Sequence, residues 1–421
     1  MKRRDFIKGS TALSTLTILK PDTVFGSRAN SVINLGFIGC GNRGTADISS
    51  MSRHTNVNIL ALADLFEDQL ETAKVKMDKL NAAKGFSEVP RSNIYRGSKA
   101  YLELLNNKEV DAVLISAPCY THPSFLEAAV TAEKHAYCEK PAAIDVAGCR
   151  KIEQLGMRIN GNVSVAIGFQ VPHATPYAEM IKRIRRGDIG RIINVQLYYL
   201  ASEVPLKPYN GMVYDEARIR NHFHFRELSG GTLLDQGIHM LDICNQALQA
   251  HPLKAYGSGG LNAGAEFGNA WNNYQAIYEY PDDIKVSYHS TQFGPTFGDV
   301  CARFLGTKGS AEAHYSGGVF IKGENEWDSG IARSAEEVTP EQRAAGLFLS
   351  SLYNADENKH KSFIQSIENG DYLDETQRAA ESTLTAILGR NAAEAQDTMH
   401  WDELVYSDES IDPGLDLEQF D

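Results

Sequence analysis

The chain has no apolar run long enough to span a bilayer beyond a short stretch near its start, where a membrane helix needs about 20 apolar residues. It has no C-x-x-C pair and no dense cysteine framework. Its six cysteines (Cys40, Cys119, Cys138, Cys149, Cys244, Cys301) are scattered, which excludes a disulfide scaffold and leaves buried free thiols as the expectation for most of them. Positive charge is in deficit: 41 Lys and Arg against 54 Asp and Glu give a formal charge of −13, which argues against nucleic acid or an anionic membrane surface as partner. Internal repeats and low-complexity tracts are also missing. What is present is 421 residues with 43% hydrophobic content, enough for two globular domains.

The chain opens MKRRDFIKGS. The basic run and the small, apolar stretch from Ser10 to Leu19 give the charged and hydrophobic regions of an export signal. Arg3-Arg4 with Phe6, Ile7 and Lys8 behind them resembles the twin-arginine signal, read by a pathway that exports proteins already folded. The competing reading is a disordered basic tail. Residues 1–30 are therefore expected to be a leader cut near Phe25 to Asn30, and the mature chain, with no membrane span, to be periplasmic.

A reason for folding before export follows at once. Ser31 to Gly39 reads as a buried parallel strand, and it runs into Gly39-Cys40-Gly41-Asn42-Arg43-Gly44 ahead of a helix-permissive run. A second strand, Val57 to Asp64, ends in an acid twenty residues past the last glycine. Glycines let the backbone approach a pyrophosphate, a helix N-terminus offers free N–H groups, and Asp64 can bond ribose hydroxyls. The acid would repel a 2′-phosphate, so NAD is expected over NADP. NAD is available in the cytoplasm, so a protein that carries it should fold there first.

Strands at Glu109 to Pro118, His135 to Pro141 and Val163 to Gln170 alternate with helices, one of them at Thr121 to Glu133. That alternation predicts an N-terminal doubly wound parallel sheet over 31–168, with ligands at the strands' carboxyl ends. Ala117-Pro118, His122 and Glu139-Lys140 lie at such ends. From 169 to 421 the pattern changes to strands with fewer helices between them, at Ile189 to Leu200, Leu253 to Gly259, Trp271 to Tyr280, Ile284 to Thr291 and Val300 to His314. This predicts a C-terminal α/β domain built on a large open, mainly antiparallel sheet. Its exposed face implies a homodimer or homotetramer. Helices return over Asp356 to Asn369 and Asp374 to Ala393.

Chemistry concentrates in Ser229 to Asp242, SGGTLLDQGIHMLD. Asp235 and His239 at i and i+4 share a helical face. Alcohol oxidation removes a proton from oxygen as hydride leaves carbon, and a near-neutral histidine can take it. The bland reading is a capping Asp and a packed His.

Taken together, Gly39-x-Gly41-x-x-Gly44, Asp64, Glu139-Lys140-Pro141 and Asp235-x-x-x-His239, with the C-terminal pattern Glu357 to Arg390 and Trp401-Asp402-Glu403, resemble the Gfo/Idh/MocA oxidoreductases. The family is named for glucose–fructose oxidoreductase, inositol dehydrogenase and a rhizopine-catabolism protein. The resemblance implies a Rossmann domain and an open-sheet domain with the nicotinamide at their junction. Lys140 would hold the reacting hydroxyl, His239 would be the acid/base, and Asp235 would bond the substrate or His239. Gly39, Gly41, Asn42, Arg43, Gly44, Asp64, Ala117, Pro118, His122, Glu139 and Lys140 would line the NAD. Where many relatives carry arginine or asparagine after the strand ending at Gln170, this chain has Val171-Pro172-His173, a departure on the substrate side.

In Asn221 to Glu227, NHFHFRE, the H-x-H spacing on a strand would put His222 and His224 on one side. With His239 and Asp235 they could form a metal site, but no further ligand stands at diagnostic spacing, so no metal is expected. His222, His224, Arg226 and Gln170 are read as carbohydrate contacts. The function expected is NAD(H)-dependent oxidation of a ring hydroxyl of a sugar, sugar derivative or polyol, with tightly held NAD. Two alternatives stay open: an NAD-dependent glycoside hydrolase working by transient oxidation and elimination, and a sugar-binding protein that retains NAD.

Overall fold

The computed structural model describes residues 32–159, 161–261, 266–294, 298–332 and 350–421; the leader expected at 1–30 lies outside them. Strands β1 (Ile33–Ile38), β2 (Val57–Asp64), β3 (Ile94–Arg96), β4 (Ala112–Ile115), β5 (His135–Cys138) and β6 (Val165–Ile167) form a parallel sheet in the order β3-β2-β1-β4-β5-β6. Helices α1 (Asn42–His54), α2 (Glu67–Ala82), α3 (Ala100–Leu105), α4 (His122–Thr131) and α5 (Val146–Ile159) make the crossovers. The strands are short and apolar on both faces, as a sheet covered by helices on both sides requires. Leu35, Phe37, Leu62, Val113 and Leu114 are fully buried. This is the doubly wound order, whose reversal between β1 and β4 opens a crevice at the strand ends.

The second sheet has nine strands. β7 (Ile192–Ala201), β8 (Lys254–Gly260), β9 (Asn273–Glu279), β10 (Lys285–Gln292), β11 (Asp299–Gly306), β12 (Gly309–His314), β13 (Val319–Gly323), β14 (Trp327–Asp328) and β15 (Met399–His400) run in the order β14-β13-β12-β11-β7-β10-β9-β8-β15. Among the described residues of this sheet, only β7 and β10 pair in parallel. In β10 every second residue is buried, so Val286, Tyr288 and Ser290 face the core while Ser287 and His289 face outward. The core face packs against helices Thr175–Arg185, Ile238–Leu248 and Thr376–Ala395.

The sequence reading treats Val300 to His314 as one strand, and this is corrected. β11 ends at Gly306 and β12 begins at Gly309, with Thr307 and Lys308 as the turn. Their N–H groups donate to the carbonyls of Arg191 and Ile189, which fixes the reversal to the start of β7. All six cysteines are free and buried, the state expected for most of them.

Helix Ala355–Asn369 returns from the second domain to pack on α1. The two domains thus enclose one cleft of about 460 Å³ at the carboxyl ends of β1, β4 and β5.

Candidate active site

The three glycines of the β1–α1 turn do three different jobs. Gly39 has a left-handed φ of +83°, and a Cβ there would stand 2.5 Å from the Ala117 nitrogen, so neither backbone nor space admits a side chain. At Gly44 a Cβ would press on the Phe37 ring at 2.4 Å, where helix meets strand. Gly41 lines the cleft and has an ordinary φ of −75°, and a Cβ there would meet nothing within 4 Å. Its glycine therefore keeps open a space that the protein does not fill.

Asp64, at the end of β2, accepts hydrogen bonds from Cys40 N–H at 2.7 Å and Phe66 N–H at 2.9 Å. Burial pushes its carboxyl up, and the two N–H groups pull it back. With no acid in the first turn of α1, the helix's free N–H groups and positive dipole end face this space uncompensated. An open glycine cradle, an uncompensated helix start and an acid at the next strand end fit the pyrophosphate and ribose of NAD.

Glu139 and Lys140 follow β5. The Lys140 ammonium donates to the main-chain carbonyl of Asp235 and lies 3.4 Å from that residue's Oδ1. Asp235 sits in a π turn, Leu233–Gly237, that leads into helix Ile238–Leu248. Such turns widen a helix locally and are frequent at functional sites. Of the two roles implied for Asp235, bonding the substrate or bonding His239, the second is not seen. Its carboxylate instead meets Lys140, and the Cys119 thiol at 3.9 Å.

His239 is only 6% exposed and lies edge-on between Phe169 and Tyr315. Its Nδ1 is buried without a hydrogen-bond partner. Burial, with the Lys140 charge adding to it, holds its pKa well below that of an ordinary histidine, so the ring is neutral. His122 bridges two strand-end turns, with ring nitrogens 2.6 Å from the Pro141 carbonyl and 2.9 Å from the Ala117 carbonyl. Of the residues implied for NAD, Gly41, Asn42, Arg43, Ala117, His122, Glu139 and Lys140 line the cleft, and Gly39, Gly44, Asp64 and Pro118 do not.

Behind Glu139 lies an ion cluster that no local motif announces. Arg43 approaches Asp47 at 3.0 Å, and Glu139 and Asp356 at 3.3 Å. Lys359, 2% exposed, lies 3.6 Å from both Asp47 and Glu139 and 3.2 Å from Asp356. Burial alone would raise Glu139, but Arg43, Lys359 and Lys140 outweigh it and hold its pKa well below the usual carboxylate range. Asp47, fully buried, is pushed up to about 8 by burial against the pull of Lys359. The surrounding cations thus favour the charged form of Glu139, while burial works against that of Asp47. Lys359 belongs to helix Ala355–Asn369, so the second domain's chain helps fix the turn that carries Lys140.

On the substrate side, Gln170, His222 and His224 line the cleft. His222–His224 is nevertheless one turn of 3-10 helix, not a strand. His224 N–H donates to Asn221 and Phe225 N–H to His222, closing the chain where the H-x-H alternation mimicked extended backbone. Arg226 is a further correction. Its guanidinium pairs with Glu394 at 2.9 Å on helix Thr376–Ala395 and does not line the cleft. The side chains that could jointly hold a metal ion, among the described residues, are Asp299, Cys301 and His314, and not the His222, His224, His239 and Asp235 set. Tyr199, Lys207, Asn221, Gln236 and Cys119 also line the cleft. Tyr199 and Lys207 stand in no motif, and only proximity in the fold recruits them, whereas Cys119, Asn221 and Gln236 lie in or beside the stretches singled out above without a role of their own there.

Comparison with known proteins agrees with this geometry. Residues 33–167 match a model described as oxidoreductase family, NAD-binding Rossmann fold, and residues 177–312 match the GFO/IDH/MocA C-terminal domain. The chain is 28% identical over 176 residues to inositol 2-dehydrogenase of Salmonella typhimurium, a match covering 41% of this chain and 48% of that protein. The chain thus spans about half the length of that relative. A glycosyl hydrolase family 109 protein of Shewanella is 25% identical over 170 residues, covering 40% of this chain and 35% of its own. In fold the chain is similar to scyllo-inositol dehydrogenase of Lactobacillus casei, solved with NAD(H) and scyllo-inositol. The TM-score is 0.65 and the identity 19%, over 88% of this chain and 100% of that one.

Proposed function

The chain belongs to the Gfo/Idh/MocA oxidoreductase family, and on that premise we propose that it oxidises a ring hydroxyl of a sugar, sugar derivative or polyol, with NAD held tightly in the β1–α1 cradle. The observation that carries this reading is the meeting of Lys140, from the end of β5, with Asp235 and His239 of the second domain across one cleft.

NAD, when bound, supplies the hydride acceptor. A hydroxyl entering the cleft finds a cation at Lys140, which the Asp235 carbonyl and carboxylate aim and which can donate to the oxygen as it gains negative charge. The proton goes to His239, whose ring is neutral and can therefore accept it. Glu139, charged and fixed by Arg43 and Lys359, keeps the turn before Lys140 in place. Phe169 and Tyr315 flank the imidazole and limit water access. Gln170, His222 and His224 are the candidates for the remaining hydroxyls.

A second reading, redox-neutral glycoside cleavage, is favoured by the likeness to the family 109 glycosidase. One assay separates the two: the purified protein is given inositols, sugars and glycosides while reduced nicotinamide and released aglycone are followed. Net reduction of added NAD supports the oxidoreductase, and aglycone release without net reduction supports the hydrolase. Mass analysis of what denaturation releases tests the tight cofactor. About one NAD per chain is expected, and an empty protein with weak affinity contradicts it.

The leader Met1 to Asn30 is read as a twin-arginine signal that delivers the folded, NAD-loaded chain to the periplasm. A homodimer or homotetramer is read from the outward face of the second sheet, where Tyr256 is 45% and Leu305 38% exposed. Replacing Arg3-Arg4 by lysines should hold the protein in the cytoplasm, and light scattering should give a mass of two or four chains.

A further inference from the structure

On the outward face of the second sheet, away from the cleft, three unlike donors converge. Asp299 and Cys301 stand two apart on β11, so their side chains leave the same face, and His314 on β12 is the antiparallel partner directly opposite Cys301. One oxygen of Asp299, Cys301 Sγ and a ring nitrogen of His314 all lie within 4.8 Å of one another. His314 Nδ1 is 3.2 Å from Asp299 Oδ1, and its Nε2 is 3.6 Å from Cys301 Sγ. Glu312 stands beside the same ring, with Oε2 3.4 Å from Nε2, as a further carboxylate partner for the imidazole. Arg303 holds Glu312 at 3.1 Å and the other Asp299 oxygen at 3.5 Å, which offsets part of the negative charge and leaves Asp299 Oδ1 directed at the ring. None of these residues lines the cleft.

We propose that Asp299, Cys301 and His314 form a binding site for a borderline-soft divalent transition metal, with zinc as the ion that a sulfur, an imidazole and a carboxylate suit best. Bonds of about 2.0–2.3 Å to a tetrahedral ion put its ligand atoms about 3.3–3.7 Å apart. One ion takes one ring nitrogen of His314, whereas the 3.2 Å and 3.6 Å approaches are made by different nitrogens, so the ring must turn to bring its ligating nitrogen toward Asp299 and Cys301 from within 4.8 Å. His314 and Asp299, with side chains 24% and 20% exposed, have room to do so. Cys301 releases its thiol proton to solvent as the sulfur–metal bond forms. A water completes the four-coordinate set. The ion staples β11 to β12 and takes no part in hydride transfer.

Cobalt(II) is the probe, because a thiolate ligand gives it an intense near-ultraviolet charge-transfer band. Chelator-treated, NAD-loaded protein titrated with cobalt should develop that band with one ion per chain, and zinc should bleach it. Cys301→Ser should abolish the band. His314→Gln, which removes a ligand, should weaken binding at least about tenfold, since losing even a group that only supports a ligand costs that much. NAD reduction by the enzyme should be unchanged in both. Asp299→Asn, which keeps shape and thiol, guards against misfolding: its circular dichroism should match wild type while cobalt affinity falls. No charge-transfer band in the wild-type protein overturns the proposal and leaves an ion-pair network only. A band that survives in Cys301→Ser also overturns it, placing cobalt on another thiol.

Discussion

At the scale of single residues, Gly41 and Gly44 differ in a way that experiment can separate. A Cβ at Gly41 enters open space with permitted backbone angles, whereas one at Gly44 strikes Phe37. Gly41→Val should therefore fold with a melting temperature close to wild type and lose NAD, while Gly44→Val should lose stability first, by the 1–3 kcal/mol or so of overpacking. Equal loss of stability in both would show that the cradle at Gly41 is structural. Arg226→Ala tests whether that guanidinium serves the fold and not the substrate. Its pair with Glu394 is partly exposed, so stability should fall by about 1 kcal/mol or less, with KM for the carbohydrate moving less than about twofold. A large rise in KM would return Arg226 to the substrate. The histidine can be titrated directly. The Lys140 charge penalises the protonated ring of His239, so Lys140→Met should move the His239 pKa upward, toward the usual value of about 6.5, as followed by the NMR shifts of the ring. A downward move or none would separate the two residues. The glycines, Asp64, Lys140 and His239 were legible because each sits in a short pattern whose spacing has one chemical reason. Lys359 and Arg226 were not, since a salt bridge to a residue hundreds of positions away, or to another helix, leaves no mark on local spacing.

At the scale of elements, the parallel strands were readable from short apolar runs, and β10 from strict alternation. Failures came where a local pattern fits two backbones. H-F-H alternates like a strand yet closes into a 3-10 turn, and Val300 to His314 keeps β-like composition through a hairpin marked only by Gly306 and Gly309. β3, three residues long, was too brief to register. Asp235 to His239 was expected on a regular helix, but the π turn at Leu233–Gly237 re-aims the Asp235 carbonyl at Lys140. The strand-to-turn link at Asp64 yields another prediction. Asp64→Ala removes acceptors for two N–H groups as well as the ribose partner, so NAD affinity should fall by at least about tenfold, one hydrogen bond to a charged group being worth 1.5–3 kcal/mol or so. Discrimination against NADP should relax too. Unchanged affinity and preference would remove Asp64 from the ribose.

At the scale of the whole molecule, the division into a nucleotide domain and an open-sheet domain follows from the change in strand–helix alternation near Gly168. The cleft between them does not, because it depends on helix Ala355–Asn369 crossing back to α1 and bringing Lys359 under Glu139. The catalytic assignment likewise belongs to the assembled molecule, since Lys140 and His239 come from different domains. The measurement that tests it most directly is single-turnover reduction of bound NAD on mixing with a ring polyol, which isolates chemistry from product release. Lys140→Met and His239→Ala should each slow it by about a hundredfold or more, and the double variant by less than the product of the two, because the residues serve one proton transfer. Wild-type rates of reduction in His239→Ala, above and below neutral pH, would contradict the account and hand the base's role to another residue of the cleft.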